Sequence, residues 1–210
     1  MSKIFLHKYF NFQLKDTYNQ TIKKWGFTTS SVCWSSKKSQ YIRFRTITNL
    51  LKRFSKKPKL KVADIGCGCG ELLNYFNNEK KRYFYKGYDI NKKFINYCKQ
   101  KFCRNNFYVD SFPVTICDVS IMNGTYNYAV TDDLDSWESY IMYNLSKCLQ
   151  KSNLGIVFNL QFSSKRMIRN NIYYTEVEFM FNYLKKNFQI IEKFYSVDSP
   201  NDIYFLVFKG

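Results

Sequence analysis

The sequence predicts an α/β fold: a seven-stranded, mostly parallel sheet with helices on both faces, an antiparallel C-terminal strand, and a basic helical segment in front. Three observations predict it. After residue 60, short apolar runs alternate with segments of helical periodicity, the pattern of a parallel sheet. The first of these runs ends in glycines at alternate positions, Gly66, Gly68 and Gly70. The last two runs are joined by Ser196 to Asp202, a link too short for a helical crossover, so they pair antiparallel.

The elements follow in order. Asp16 to Trp25 forms a short helix stopped by Gly26, and Thr28 to Ser31 is loop. Ser36 to Phe54 is a second helix, because Tyr41, Phe44, Ile47, Leu51 and Phe54 recur at spacings of three and four. The stretch Ser55-Lys56-Lys57-Pro58-Lys59 ends it. Strands are expected at Leu60 to Ile65, Tyr83 to Ile90, Phe107 to Val109 and Cys117 to Met122. Three more are expected at Leu154 to Leu160, Phe188 to Tyr195 and Ile203 to Phe208. Helices are expected at Glu71 to Asn77, Asn91 to Phe102, Trp137 to Gln150 and Thr175 to Asn187. Residues 1–59 then form a basic helical cap, part of the same domain as the ligand-binding region 60–210.

Composition excludes several classes. The 210 residues suit one domain, and 45% hydrophobic residues argue against a disordered chain. No stretch of about 18 apolar residues occurs, so no membrane span is expected. Met1 to Phe12 mixes Lys3, His7 and Lys8 with aromatics and lacks the apolar core of a signal peptide. The seven cysteines are odd in number and none are spaced C-x-x-C, which indicates neither a disulfide framework nor a zinc ribbon. No metal is expected, and a reducing cytoplasm suits the thiols.

The net charge is +17 and unevenly placed. Residues 1–60 carry 14 Lys and Arg against Asp16 alone, whereas residues 61–150 carry 11 against 10. A field of that kind attracts anions such as phosphates, acidic glycans or nucleic acid. Compositional drift in a chain rich in Lys, Asn, Tyr and Phe is the competing explanation.

The sharpest motif is Asp64-Ile65-Gly66-Cys67-Gly68-Cys69-Gly70, a strand running through a glycine-rich turn into a helix. Such glycines let the backbone turn tightly and let a ligand approach main-chain atoms. The dinucleotide pattern G-x-G-x-x-G would require glycine where Glu71 stands. Asp89 ends the second strand, 21 residues after Gly68. Its two carboxylate oxygens suit the two hydroxyls of a ribose.

The acid-x-G-x-G-x-G pattern resembles motif I of the class I S-adenosylmethionine-dependent methyltransferases. Beyond it, residues 18 to 209 resemble small single-domain tailoring methyltransferases with an N-terminal helical cap. The cap matches are Tyr18, Gly26, Trp34, Ser36, Gln40, Arg43 and Phe44. The fourth strand matches from Asp118 to Gly124 and on to Tyr126 and Asn127, with Asn123 in place of the usual Ser. Gly155, Ile156, Phe158 and Asn159 match the fifth strand, and Asn201, Asp202, Ile203 and Tyr204 lead into the last.

The resemblance implies a Rossmann-like fold and S-adenosyl-L-methionine as cofactor. It implies a binding loop of Asp64, Gly66, Cys67, Gly68 and Gly70, a ribose site at Asp89 and Ile90, and an adenine site at Asp110 and Ser111. Asn123 would join them from the fourth strand. Gln40 and Arg43 are three apart on one helix and reach the same place; Arg43 would grip the methionine carboxylate, and Trp34 would pack on cofactor or acceptor.

The expected reaction moves a methyl group to an oxygen or nitrogen of a small-molecule or carbohydrate acceptor, with phosphate-bearing or acidic acceptors suited to the basic cap. No general base stands out; His7 lies outside the resemblance, and Asp118 begins its strand, away from the ligand end. Asn123, Tyr126 and Asn159 are the candidates for positioning an acceptor. A nucleic-acid methyltransferase using the basic N-terminal region is the alternative. It lacks [DN]-P-P-[YF] after the fourth strand, where Asn123-Gly124-Thr125-Tyr126 stands, and lacks a Pro-Cys pair. A non-catalytic cofactor-binding module is the second alternative.

Overall fold

The structure is a computed structural model that describes residues 3–56, 59–103 and 106–210. Helix α1 (Lys3–Trp25) spans 23 residues and starts well before Asp16. The longer helix escaped the sequence because its apolar stripe is blurred. Phe10 and Leu14 are buried, while Phe5, Tyr9 and Phe12 are exposed. Gly26 stops it as expected, at φ +64 and with its N–H donating to Ile22 O at 2.8 Å. A short 3-10 turn at Ser30–Val32 leads to α2 (Lys37–Phe54), whose Ser36 cap accepts from Ser39 N. The expected break after α2 falls partly on Lys57 and Pro58, outside the described residues.

Next come β1 (Lys61–Ile65), α3 (Glu71–Asn78), β2 (Phe84–Asp89), α4 (Lys92–Phe102) and β3 (Phe107–Val109). They are followed by β4 (Cys117–Met122), α5 (Leu134–Gln150) and β5 (Ser152–Phe162). Helix α5 starts three residues earlier than its apolar pattern suggests. The Asp133 side chain caps it, accepting from Asp135 N and Ser136 N. The chain closes with β6 (Met167–Arg169), β7 (Ile172–Thr175), α6 (Val177–Lys185), β8 (Ile190–Tyr195) and β9 (Asp202–Phe208).

Among the described residues the sheet has nine strands, which corrects the expected seven. Strands β3, β2, β1, β4 and β5 are parallel neighbours in that order. Strand β9 lies antiparallel to both β5 and β8, as the short link before it requires. The added pair, β6 and β7, is a hairpin turned by Asn170 and Asn171 at φ +51 and +61. Two asparagines in left-handed conformation make a tight two-residue turn. Strand β7 pairs with Gln161 and Phe162, at the far end of β5. Since β9 takes the other side of Gln161, the hairpin sits just past the carboxyl end of β4.

Each face of the sheet carries its own core. On one face α1, α5 and α6 contribute Phe10, Leu14, Trp137, Leu145 and Met180. On the other, α2, α3 and α4 contribute Phe44, Ile47, Leu51, Phe76 and Ile95. The two N-terminal helices therefore straddle the sheet, and the segment between them, residues 26–36, crosses over the carboxyl ends of the strands. Among the described residues no helix is long and apolar enough to cross a membrane.

Candidate functional site

The carboxyl ends of β1, β2, β3 and β4 open into a cleft with about 660 Å³ of space, solvent at its mouth included. It lies where open α/β sheets bind ligands.

The glycine loop forms its floor. Gly66 N and Cys67 N donate to Tyr88 O at 2.8 and 3.0 Å, which straps the loop to β2. Gly68 N donates to Asp89 Oδ2 at 2.9 Å, and Asn91 N donates to Asp89 Oδ1 at 2.8 Å. Each carboxylate oxygen keeps a further lone pair. Burial pushes the Asp89 carboxyl up to about 6, against the pull of those two N–H donors.

Gly66, Gly68, Asp89, Ile90, Asp110, Ser111, Asn123 and Trp34 all line this cleft, as does Tyr126. Asp110 Oδ1 accepts from Ser111 N at 2.7 Å, which shapes the turn after β3. Asn123 follows β4 with both amide atoms buried and without a hydrogen-bond partner. The buried Tyr126 hydroxyl is also unpartnered, and burial pushes it well above the usual phenol range.

The other expected site residues lie off the cleft lining. Asp64 is buried beneath the loop and accepts from the Tyr85 hydroxyl at 2.7 Å; burial pushes its carboxyl up to about 7. The Cys67 thiol packs behind the loop beside Gly87 and Cys98. Gly70 caps α3 at φ +75 and faces the Phe102 ring. Gln40 is buried on α2. Arg43 pairs with Asp202 at 2.7 Å, so its guanidinium is committed inside the protein. Asn159 is fully buried, donating to Asp202 Oδ1 at 2.9 Å and accepting from Gly124 N at 2.8 Å.

Sequence reasoning passed over several lining residues. Leu14 and Tyr18 come from α1, Val32 from the crossing segment, and Tyr140 and Asn144 from α5. Tyr18 carried a signal through the resemblance; the α5 pair carried none, because periodicity marks a helix face as core without showing that it opens on a cleft. His7 stands just behind. Its Nε2 lies 3.1 Å from both Asn144 Oδ1 and Ser111 Oγ, joining a lining residue of α5 to one after β3. Burial pushes the His7 imidazole below its ordinary value, so it is neutral at pH 7.

The geometry fits S-adenosylmethionine. The charged residues of the lining are both acids, Asp89 and Asp110, which suits a cationic sulfonium. The Asn123 amide offers one donor and one acceptor group that no protein atom uses. The backbone at Gly66 and Gly68 presents no side chain to a ligand.

Comparison with known proteins agrees with this geometry. The family model described as "Methyltransferase small domain" matches residues 46–132, from α2 to the loop after β4. No curated protein sequence matches the chain. Among solved structures, magnesium protoporphyrin IX methyltransferase from Synechocystis PCC 6803, with bound SAM, is similar at 15% identity. It covers 99% of this chain and 97% of its own, with a TM-score of 0.60. The plantazolicin methyltransferase BpumL, in complex with a pentazolic desmethylPZN analog and SAH, is similar at 15% identity over 97% and 98%, with a TM-score of 0.64. DesVI of Streptomyces venezuelae is similar at 10% identity over 81% and 92%, with a TM-score of 0.59. The chain shares the fold of these methyltransferase structures, and the methyltransferase-domain model matches the part of it that carries the glycine loop. The resemblance read from the glycine loop is thereby borne out.

Proposed function

We propose that the chain transfers a methyl group from S-adenosylmethionine to an oxygen or nitrogen of a small-molecule acceptor. One observation carries this reading: the cleft brings Gly66, Gly68, Asp89, Asp110 and the unpartnered Asn123 amide together at the carboxyl ends of four neighbouring strands.

In this reading Asp89 accepts both ribose hydroxyls with the lone pairs that Gly68 N and Asn91 N leave free. Asp110 and Ser111 meet the adenine edge, and the backbone at Gly66 and Gly68 meets the methionine portion. Asn123 presents its amide where cofactor and acceptor join. The cofactor supplies an electrophilic methyl for in-line displacement, so alignment supplies much of the acceleration. The chain's part is to orient the acceptor and exclude water. Leu14, Val32 and Trp34 close the cleft with apolar surface. Tyr126 holds its proton firmly and serves as a hydrogen-bond donor.

Among the described residues, those lining the cleft include no Lys, Arg or His. An anionic acceptor group would therefore be desolvated beside two carboxylates. We infer a reacting group that is uncharged, and we place any contribution of the basic N-terminal helices at the rim. The seven cysteines are all free thiols, which supports a reducing compartment such as the cytoplasm. Incubation with methyl-labelled S-adenosylmethionine and fractionated small-molecule extract tests the reading. Label in a small product supports it; label solely in added RNA favours the nucleic-acid alternative.

A further inference from the structure

Arg43, the residue whose guanidinium is withdrawn from the cleft, leads back to it by another route. Its Nη2 lies 2.7 Å from Asp202 Oδ2, and the Asp202 side chain is fully buried. Asp202 Oδ1 accepts from Asn159 Nδ2 at 2.9 Å. Asn159 Oδ1 in turn accepts from Gly124 N at 2.8 Å. Gly124 is in left-handed conformation at φ +71, and a Cβ there would lie 2.7 Å from Trp34 Cζ2. The Trp34 ring stacks under the Arg43 guanidinium, 5.0 Å from its central carbon. The contacts thus form a closed ring through α2, β9, β5, the loop after β4 and the crossing segment.

A buried ion pair is costly to desolvate, and an apolar pair of similar volume often stabilises as well or better. Stability alone is a weak reason for this one. Its polar ends are used instead: they fix the backbone N–H of Gly124, next to Asn123, whose buried amide has no protein partner. They also hold Trp34 against that turn at the lining of the cleft.

We propose that Arg43, Asp202 and Asn159 are positioning residues that act as one unit, setting the Asn123 amide and the Trp34 ring for the ligand without touching it. This rests on the methyltransferase reading above for the ligand's identity. The ring itself rests on the contacts alone.

The test uses the full chain labelled with 5-fluorotryptophan, with the Trp34 resonance assigned from Trp34→Phe, and calorimetric titration with S-adenosylhomocysteine. Asp202→Asn keeps the shape and removes the charge. It should shift the Trp34 resonance, leave those of Trp25 and Trp137 in place, and weaken S-adenosylhomocysteine at least tenfold. Arg43→Met should do the same, Arg43→Lys should restore part of the affinity, and the double variant should be no worse than Asp202→Asn alone. If Asp202→Asn does not fold, the contrast between Arg43→Lys and Arg43→Met decides. Unmoved Trp34 resonance with wild-type affinity in the folded variants overturns the proposal. Absence of S-adenosylhomocysteine binding by the wild type would instead count against the cofactor, and the Trp34 shift would still decide the ring.

Discussion

Val32 lies where a side chain on Gly68 would go: a Cβ at Gly68 would stand 2.7 Å from Val32 Cγ1. The loop that carries the cofactor motif is therefore covered directly by the segment crossing between α1 and α2. Gly68 also sits at φ +50, a left-handed conformation that costs other residues roughly 1–2 kcal/mol. Gly68→Val should leave a folded but less stable protein that has lost S-adenosylhomocysteine binding by at least about tenfold, measured by calorimetry beside a thermal melt. Wild-type affinity in a folded Gly68→Val would remove the loop from the site.

The Asp89 carboxyl is raised to about 6 by burial, and only its ionised form accepts from two ribose hydroxyls. Cofactor affinity should be level above pH 7 and fall by up to about tenfold per pH unit below 6. Stability moves the other way. A raised carboxyl means the folded chain holds a proton that the unfolded chain releases, so this group favours folding at low pH and that contribution fades as pH rises from about 4 through about 6. Affinity measured from pH 5 to 8 checks the first part, and Asp89→Asn should flatten the profile at a uniformly weaker value.

Two asparagines near the same turn should respond in opposite ways. Asn123 has no protein partner for its amide, so Asn123→Ala should cost little stability and should weaken ligand binding. Asn159 is bonded to Gly124 N and Asp202, so Asn159→Ala should cost about 1–3 kcal/mol by stranding buried groups. Denaturant melts of the two variants, with S-adenosylhomocysteine titrations, separate the roles.

Phe10 is 3% exposed and packs against Trp137 and Tyr140. Phe10→Ala should destabilise the whole protein by about 3–5 kcal/mol in denaturant melts. A loss under about 1 kcal/mol would mean that α1 is a detachable cap rather than part of the core.

The strand ends and the glycine loop were legible because each is local. Apolar runs, Gly66 to Gly70 and the spacing to Asp89 lie within short stretches of chain. Strands β3 and β4 came out at their observed bounds for that reason. The first half of α1 was not legible, since Phe5, Tyr9 and Phe12 scatter round the helix and tertiary contact of Phe10 and Leu14 decides. The β6–β7 hairpin had a weak signal in Asn170-Asn171, a pair that tolerates left-handed backbone. At the site, Arg43 was expected to reach the methionine carboxylate, and the structure pairs it with Asp202 instead. Its partner Asp202 is 159 positions away in the chain, and no local pattern links them. Separations of 104 and 137 positions likewise hid the approach of His7 to Ser111 and Asn144.

In the proposed reading, this cleft binds S-adenosylmethionine through Asp89 and the glycine loop. Titration of the wild-type chain at pH 8 with S-adenosylhomocysteine and, separately, with a nicotinamide dinucleotide tests it most directly. One S-adenosylhomocysteine should bind per chain, Asp89→Ala should bind it at least about tenfold more weakly, and the dinucleotide should not bind. Binding of the dinucleotide without S-adenosylhomocysteine, or S-adenosylhomocysteine affinity unchanged in Asp89→Ala, would contradict it.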